Sequence, residues 1–225
     1  VPIDWMAPDR ETAYGIGLPD TPSGFATVSA SFYLLVKYLE MSPGLFVCRG
    51  DAGTSPWQLS DEPNVPLEFT LGDAWDFGSK PTTHCSYAYH LPYNWYTLTI
   101  GGDPNFGVAA DRNPWIESPG VRAAEPSCFQ PDIPPYSGTV EQARVGNSPS
   151  HRQDGQNVLF LDGRVAFETR AFCAVDDDNV YTVSCQYGEG DPAGVVPSPQ
   201  LFPMNRNDSL LVHDPNRAFL PPQPR

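Results

Sequence analysis

Apolar residues recur at helical spacing in one part of the chain, residues 24–41. Positions that are three or four residues apart share one face of a helix, and that spacing predicts an amphipathic helix here. Ser29 or Ser31 is expected to cap its start, and Ser42-Pro43-Gly44 to end it. The apolar positions are Phe32, Leu35, Val36 and Leu39.

Short apolar or alternating segments elsewhere are typical of β-strands. The aromatic-rich stretch 85–100 is interpreted as part of a sheet core, because rings in strand-like alternation pack well on a pleated surface. The other predicted strands are 45–48, 67–71, 108–111 and 180–183, and 210–212 is the ordered part of the C-terminal region.

The strongest local signal covers residues 156–167, where two alternating apolar runs flank Asp162-Gly163. Both residue types tolerate the positive φ of a type I′ turn, so this segment predicts a β-hairpin.

Composition favours a loop-rich body. The chain has 225 residues with 26 prolines and 19 glycines, which shortens strands and lengthens ordered loops, and the length suits one domain. We expect an extended N-terminal arm at 1–23, a globular domain at 24–187 and a Pro-rich C-terminal tail at 188–225.

The net charge of −14 repels phosphate backbones, so nucleic acid is excluded as an expected partner. The same charge suits divalent cations and an extracellular setting, and it also suits plain solubility. No segment approaches the roughly 20 apolar residues that span a bilayer, so the chain as given is expected to be soluble.

The five cysteines lack paired C-x-x-C spacing, which favours disulfides over a zinc ribbon. The preferred pairs are Cys48 with Cys85 and Cys173 with Cys185, which leaves Cys128 over. The sequence itself does not determine the pairing.

Several motifs follow one another in order between residues 32 and 182. They are the helix leading into Phe46-Val47-Cys48, Ser86-Tyr87-Ala88-Tyr89, Ala110-Asp111-Arg112-Asn113-Pro114, Asn147-Ser148-Pro149-Ser150-His151, the segment 155–165 that contains Asn157 and Asp162-Gly163, and the segment 175–182. In this order they resemble bacterial pilin-like proteins made with a prepilin-type cleavage and methylation signal, which are related to secretion pseudopilins.

The stretch from His151 to Asp162-Gly163 is the most recognisable part of this resemblance. That signature normally has nine residues between His and Asp-Gly, whereas ten separate His151 from Asp162 here, an insertion expected in the loop 152–155. The chain also lacks the N-terminal methylation segment and long apolar helix of such proteins, so a membrane contact requires a segment absent from this chain.

The resemblance implies an α+β fold, a pilin-like head with an N-terminal helix packed on an antiparallel sheet. It also implies export to the cell surface or beyond it, and a structural role. The function expected is self-assembly into a filament, tube or surface layer. The alternative is a monomeric extracellular module that binds carbohydrate or a surface protein through Tyr93, Trp95 and Trp115.

Enzyme chemistry is not expected, since neither a G-x-S-x-G motif nor a catalytic-cysteine signature is present. His151 is interpreted as holding a loop and Asp162 as forming a turn. The chain does contain a sequon at Asn207, which matches the pattern for N-glycosylation.

Calcium is the one metal that the sequence favours. Asp176, Asp177, Asp178 and Asn179 offer hard oxygen ligands, and secretion pseudopilins often hold calcium in a C-terminal loop. Asp111 and Asn113 are secondary ligand candidates, or turn formers before Pro114. The alternative is a solvated acidic loop, which the absence of EF-hand spacing favours, because consecutive residues cannot all face one ion.

Overall fold

The computed structural model describes residues 3–16, 27–91, 96, 98–186, 189–198 and 201–215. Its centre is a five-stranded sheet of order β4-β3-β2-β1-β5 in which neighbouring strands run antiparallel. The strands are β1 (Tyr87–His90), β2 (Gly107–Asp111), β3 (Gln156–Phe160), β4 (Val165–Glu168) and β5 (Leu211–Val212). Together with three helices, this sheet confirms the expectation of a mixed fold with an antiparallel sheet.

One face of the sheet carries the main core. Side chains alternate along a strand, so Val158 and Phe160 of β3 point inward together and are fully buried. The residues that pack against them include the buried Trp115 and Tyr181, which lie outside the strands. The buried members of this core are Ala88, Ala110, Trp115, Val158, Phe160, Ala171, Ala174, Val180, Tyr181 and Leu211.

The predicted helix is present as α2 (Val28–Leu39), between the short helices α1 (Arg10–Ala13) and α3 (Val140–Arg144). Its cap is Thr27, whose side chain accepts from the Ala30 amide, and not Ser29 or Ser31. The buried face also differs from the predicted one, because Tyr33 and Val36 are buried whereas Leu35 and Leu39 are exposed. Within the described residues, no helix has the length and apolar character needed to cross a bilayer.

A second core lies between α2 and the loops that follow it. Its rings meet edge to face, as in the pair Tyr33 and Phe77 with centroids 5.0 Å apart, an arrangement that aromatic quadrupoles favour. Phe32 of α2 also contacts Tyr89 of β1, with centroids 5.5 Å apart. The buried members of this core are Trp5, Tyr33, Val36, Phe46, Trp57, Ala74, Phe77 and Cys85.

Parts of both chain ends belong to the folded body. Residues 3–16, within the predicted arm, bury Ile3, Trp5 and Ala13. Residues 201–215, within the predicted tail, form β5 and bury Leu210 and Leu211. Each of these two stretches therefore fills part of a core, and the division at 23 and 187 stays a prediction.

Three predicted strands are wrong. Residues 45–48 overlap a 3-10 turn, Pro43–Phe46, whose first residue has the fixed φ that such a turn favours. Residues 67–71 form turns, since the Asp73 carboxylate accepts from both the amide and the hydroxyl of Thr70. Residues 180–183 are buried, but Val183 forms only an isolated bridge with Val195.

The predicted hairpin is confirmed, with β3 and β4 paired from Gln156 opposite Glu168 to Leu159 opposite Val165. Its turn is not type I′, however, because Gly163 has a positive φ (85°) and Asp162 does not. Within the connection, the Gly163 amide donates to the Phe160 carbonyl and the Phe160 amide to the Arg164 carbonyl, and the Asp162 carboxylate accepts from the Arg164 amide.

Candidate functional site

Within the described part of the chain, one set of His, Cys, Asp or Glu side chains brings three ligand atoms together. Cys48 Sγ, a carboxylate oxygen of Asp111 and a ring nitrogen of His151 all lie within 4.8 Å of one another. Asp111 ends β2, His151 ends the 3-10 turn Pro149–His151, and Cys48 follows the turn after α2. Three segments far apart in sequence therefore meet at one point.

The distances show that one ring nitrogen is the centre of this cluster. His151 Nε2 lies 3.1 Å from Asp111 Oδ2 and 3.8 Å from Cys48 Sγ. Asn157 Nδ2 lies 3.2 Å from the same nitrogen and donates to Asp111 Oδ2 at 3.1 Å. A single nitrogen carries one proton or one lone pair, so it cannot bond all of these groups at once.

Asp111 is the most enclosed member of the cluster. Its side chain is fully buried, whereas that of His151 is 27% exposed. The Asn157 amide donates to Asp111 Oδ2 at 2.6 Å, while Asp111 Oδ1 is buried without a hydrogen-bond partner in the described structure. Burial raises the pKa of Asp111, against the lowering effect of the Asn157 bond and of His151. One carboxylate oxygen thus keeps free lone pairs.

Cys48 is half-buried, and its thiol accepts from the Gly50 amide at 3.4 Å. Burial raises the pKa of this thiol, the Gly50 hydrogen bond lowers it, and Asp111 raises it further. Gly50 permits the close approach, because a Cβ there would lie 2.2 Å from the Ser150 carbonyl oxygen. The loop carrying Cys48 is therefore fitted against the turn carrying His151.

The cluster does not have the spatial arrangement of a catalytic triad, in which a nucleophile, a base and an orienting acid are hydrogen-bonded in a row. In such a triad the nucleophile and the acid bond opposite nitrogens of the imidazole. Here Cys48 and Asp111 both face Nε2. A raised thiol pKa is also the reverse of what activates a cysteine.

A buried ion pair adjoins the cluster. Arg112 Nε donates to Asp51 Oδ2 at 2.6 Å, and both side chains are 1% exposed. Arg112 also donates to the Thr82 carbonyl at 2.6 Å. Charges at this depth need partners, so this pair fixes the strand end that holds Asp111. Reasoning from the sequence missed it, because 61 residues separate the two partners.

Asn113, the other predicted ligand on this strand end, is used structurally. Its Nδ2 donates to the carbonyls of Tyr181 and Leu211, and its Oδ1 accepts from the Trp115 amide at 2.8 Å. Both ends of the Asn113 side-chain amide therefore take part in hydrogen bonds within the fold. It joins the end of β2 to β5 and to the buried segment around Tyr181.

The predicted calcium ligands have different surroundings, and calcium binding by them stays a prediction. Asp176 and Asp177 are exposed and have positive φ. Asp178 is buried, where its two oxygens accept from the amides of Asp191 and Ser209. Asn179 accepts from Tyr181 and donates to Pro192. The buried pair is thus occupied by backbone groups, and the acidic run contributes turns and loop anchors.

Neither predicted disulfide is present, since all five cysteines are free. Cys48 lies against His151, whereas Cys85 is buried in the second core and approaches the Tyr87 carbonyl at 3.9 Å. Cys173 lies 3.6 Å from the Ala171 carbonyl, and Cys185 is exposed. In each predicted pair, the two cysteines thus lie in different surroundings.

Of the other predicted binding residues, the structure describes Trp115 and Asn207. Trp115 is 6% exposed and packs edge to face on Phe129, so it is a core residue. Tyr93 and Trp95 lie outside the described residues. Asn207 is half-buried, and its amide donates to Asn205; glycosylation there stays a prediction.

Comparison of the chain with protein-family models, with curated proteins and with solved structures finds no match.

Proposed function

We propose that this chain is a structural subunit that assembles with copies of itself, outside the cell or on its surface, in a filament, tube or layer of the pilin-like kind. The proposal includes a pilin-like head in which α2 packs on the sheet. Its first support is the order of the motifs along the chain. A second support is that these motifs contact one another, as Asp111 does with His151 and Asn157.

The observation that carries the proposal is the outer face of α2. A helix has about 3.6 residues per turn, so positions 34, 35 and 38 point away from the buried Tyr33 and Val36, and position 39 extends the same exposed surface at the end of the helix. All four are large and apolar, and their exposed fractions are 36% for Leu34, 36% for Leu35, 64% for Tyr38 and 66% for Leu39. We call these four residues the outer face of α2.

The four side chains of this face carry no charge. The one charged residue of α2 is Lys37, whose amine donates to the carbonyls of Gly72 and Ala74 and lies 3.9 Å from the centre of the Trp75 ring. On a chain with a net charge of −14, copies repel one another most where acids are exposed. An uncharged apolar face is where a second copy approaches at the least cost.

Sedimentation velocity of the full chain over a range of concentrations tests this proposal. We expect species that grow with concentration, and we expect the double variant Leu35→Ser and Leu39→Ser to remain monomeric. Leu67→Ser is the matched control, since Leu67 is fully exposed elsewhere on the molecule. A wild-type chain that stays monomeric at every concentration contradicts the proposal, and so does a double variant that associates as the wild type does.

A further inference from the structure

We propose that Cys48, Asp111 and His151 form a binding site for a single zinc ion. The site lies where the loop after α2 meets the end of β2 and the turn before β3. It goes beyond the assembly role, and neither proposal depends on the other. Zinc would join three segments whose members are up to 103 residues apart in the chain.

The spacing of the ligand atoms suits a tetrahedral ion. Zinc lies about 2.3 Å from sulfur and about 2.0–2.2 Å from nitrogen or oxygen, which separates tetrahedral ligand atoms by about 3.4–3.6 Å. The observed separations are 3.8 Å between Cys48 Sγ and His151 Nε2 and 3.1 Å between that nitrogen and Asp111 Oδ2. All three ligand atoms lie within 4.8 Å of one another, so small side-chain movements would bring them onto one ion.

The chemistry of the donors selects the metal. A thiolate, an imidazole and a carboxylate together are the ligand types of zinc, whereas calcium and magnesium take oxygen ligands. A thiolate and a carboxylate neutralise a divalent cation when the imidazole is neutral. A neutral cluster is the form that a site with a fully buried Asp111 side chain tolerates best.

A bound ion also resolves the crowding around His151 Nε2. With zinc on that nitrogen, the Asn157 side-chain amide keeps its hydrogen bond to Asp111 Oδ2 at 3.1 Å. Either carboxylate oxygen can face the metal, since Oδ2 is the one that lies 3.1 Å from Nε2 and Oδ1 is the one without a partner in the described structure. The hydrogen bond from Asn157 would then fix the orientation of the Asp111 carboxylate, as hydrogen bonds to the metal ligands do in zinc sites. The 27% exposure of His151 leaves a route for the ion and for water as a fourth ligand.

The first test needs no substitution. The reduced, chelator-treated full chain is alkylated in its native state with and without zinc, and each modified cysteine is mapped by mass spectrometry. We expect one equivalent of zinc to slow alkylation of Cys48 at least about tenfold, because a metal-bound thiolate is shielded. The exposed Cys128 and Cys185 are internal controls that should react at unchanged rates. Unchanged alkylation of Cys48 overturns the proposal.

The second test measures affinity by competition with a chromophoric chelator. Wild type and Cys128→Ser should bind one zinc per chain equally well. Cys48→Ser and Asp111→Asn should lose at least about tenfold in affinity, the lower end of what even outer-shell changes cost. Cobalt added to the wild type should give a thiolate charge-transfer band that Cys48→Ser lacks. The proposal is overturned if Cys48→Ser binds zinc as tightly as the wild type does. It is also overturned if the wild type binds calcium as tightly as zinc.

Discussion

Asp76 is a carboxylate that the fold holds almost out of water, with 1% of its surface exposed. Thr27 Oγ1 donates to its Oδ2 at 2.5 Å and Ser29 Oγ at 3.1 Å. Asp214 accepts from the amides of Val28 and Ser29 at the start of α2. Burial, followed by repulsion from Asp214, raises the pKa of Asp76 to about 7.

This shift predicts how stability depends on pH. An unfolded aspartate has a pKa of about 3.9, so the folded state favours the protonated form, and the stability this form provides is lost as the pH rises through 7. We expect Asp76 to lower the free energy of unfolding by on the order of 2 kcal/mol between pH 5 and pH 8.

Asp76→Asn should flatten that part of the profile, because asparagine keeps the size of the side chain and cannot ionise. Urea unfolding of both proteins at several pH values measures the difference. Equal slopes for wild type and variant between pH 5 and pH 8 would show that Asp76 is not the titrating group.

Cys48 marks the limit of what a sequence reveals about one residue. Its residue type and the absence of C-x-x-C spacing led to a predicted disulfide. Its actual neighbour, His151, is set by how the loop at Gly50 packs on the Ser150 carbonyl. Asp111 and His151 were both recognisable within the pilin-like motifs, but their contact depends on a strand end and a turn that meet only in the fold.

Among the elements, those with a strong local period were predictable. The alternation around β3 and β4 predicted the hairpin, and helical spacing predicted α2. Where a side chain or a proline imposes a turn, the same alternation failed, as at Pro43 and at Thr70. The buried face of α2 was not predictable, because this helix is apolar on both sides and the loops that cover Tyr33 are distant in sequence.

Order in the C-terminal region was predicted at 210–212, and β5 lies within that range, but its place in the sheet was not predicted. The composition of this region is Pro-rich, yet β5 pairs with β1, and Leu210 and Leu211 are buried at 1% and 0% exposure. Asp208 accepts from the amides of Ser184 and Met204. A local pattern cannot reveal such pairing, because the partners lie outside the segment.

A chain that ends at Ser198 should therefore unfold. It loses two buried leucines. Shortening one buried leucine to alanine already lowers the free energy of unfolding by about 2–5 kcal/mol, and the total for a domain is about 5–15 kcal/mol. Thermal unfolding followed by circular dichroism should show no cooperative transition near that of the full chain. The control ends at Pro215 and keeps every described residue, so its transition should match the full chain. A cooperative transition at an unchanged temperature in the shorter chain would contradict the role assigned to β5.

For the molecule as a whole, two features define the surface. The net charge is strongly negative, and the outer face of α2 is apolar and uncharged. In the proposed assembly, the first keeps copies apart in general and the second gives them a place to meet. Together with the pilin-like order of motifs, this contrast is the basis for proposing a subunit whose role is mechanical.

Photo-cross-linking from within that face tests the central claim most directly, because it detects any neighbour whatever the symmetry of the assembly. A photoreactive phenylalanine analogue replaces Tyr38, and in a control it replaces the fully exposed Ile100. We predict that irradiation of the concentrated protein yields covalent dimers and larger species from position 38 and only monomer from position 100. Monomer alone from position 38, or equal cross-linking from both positions, would contradict assembly through α2.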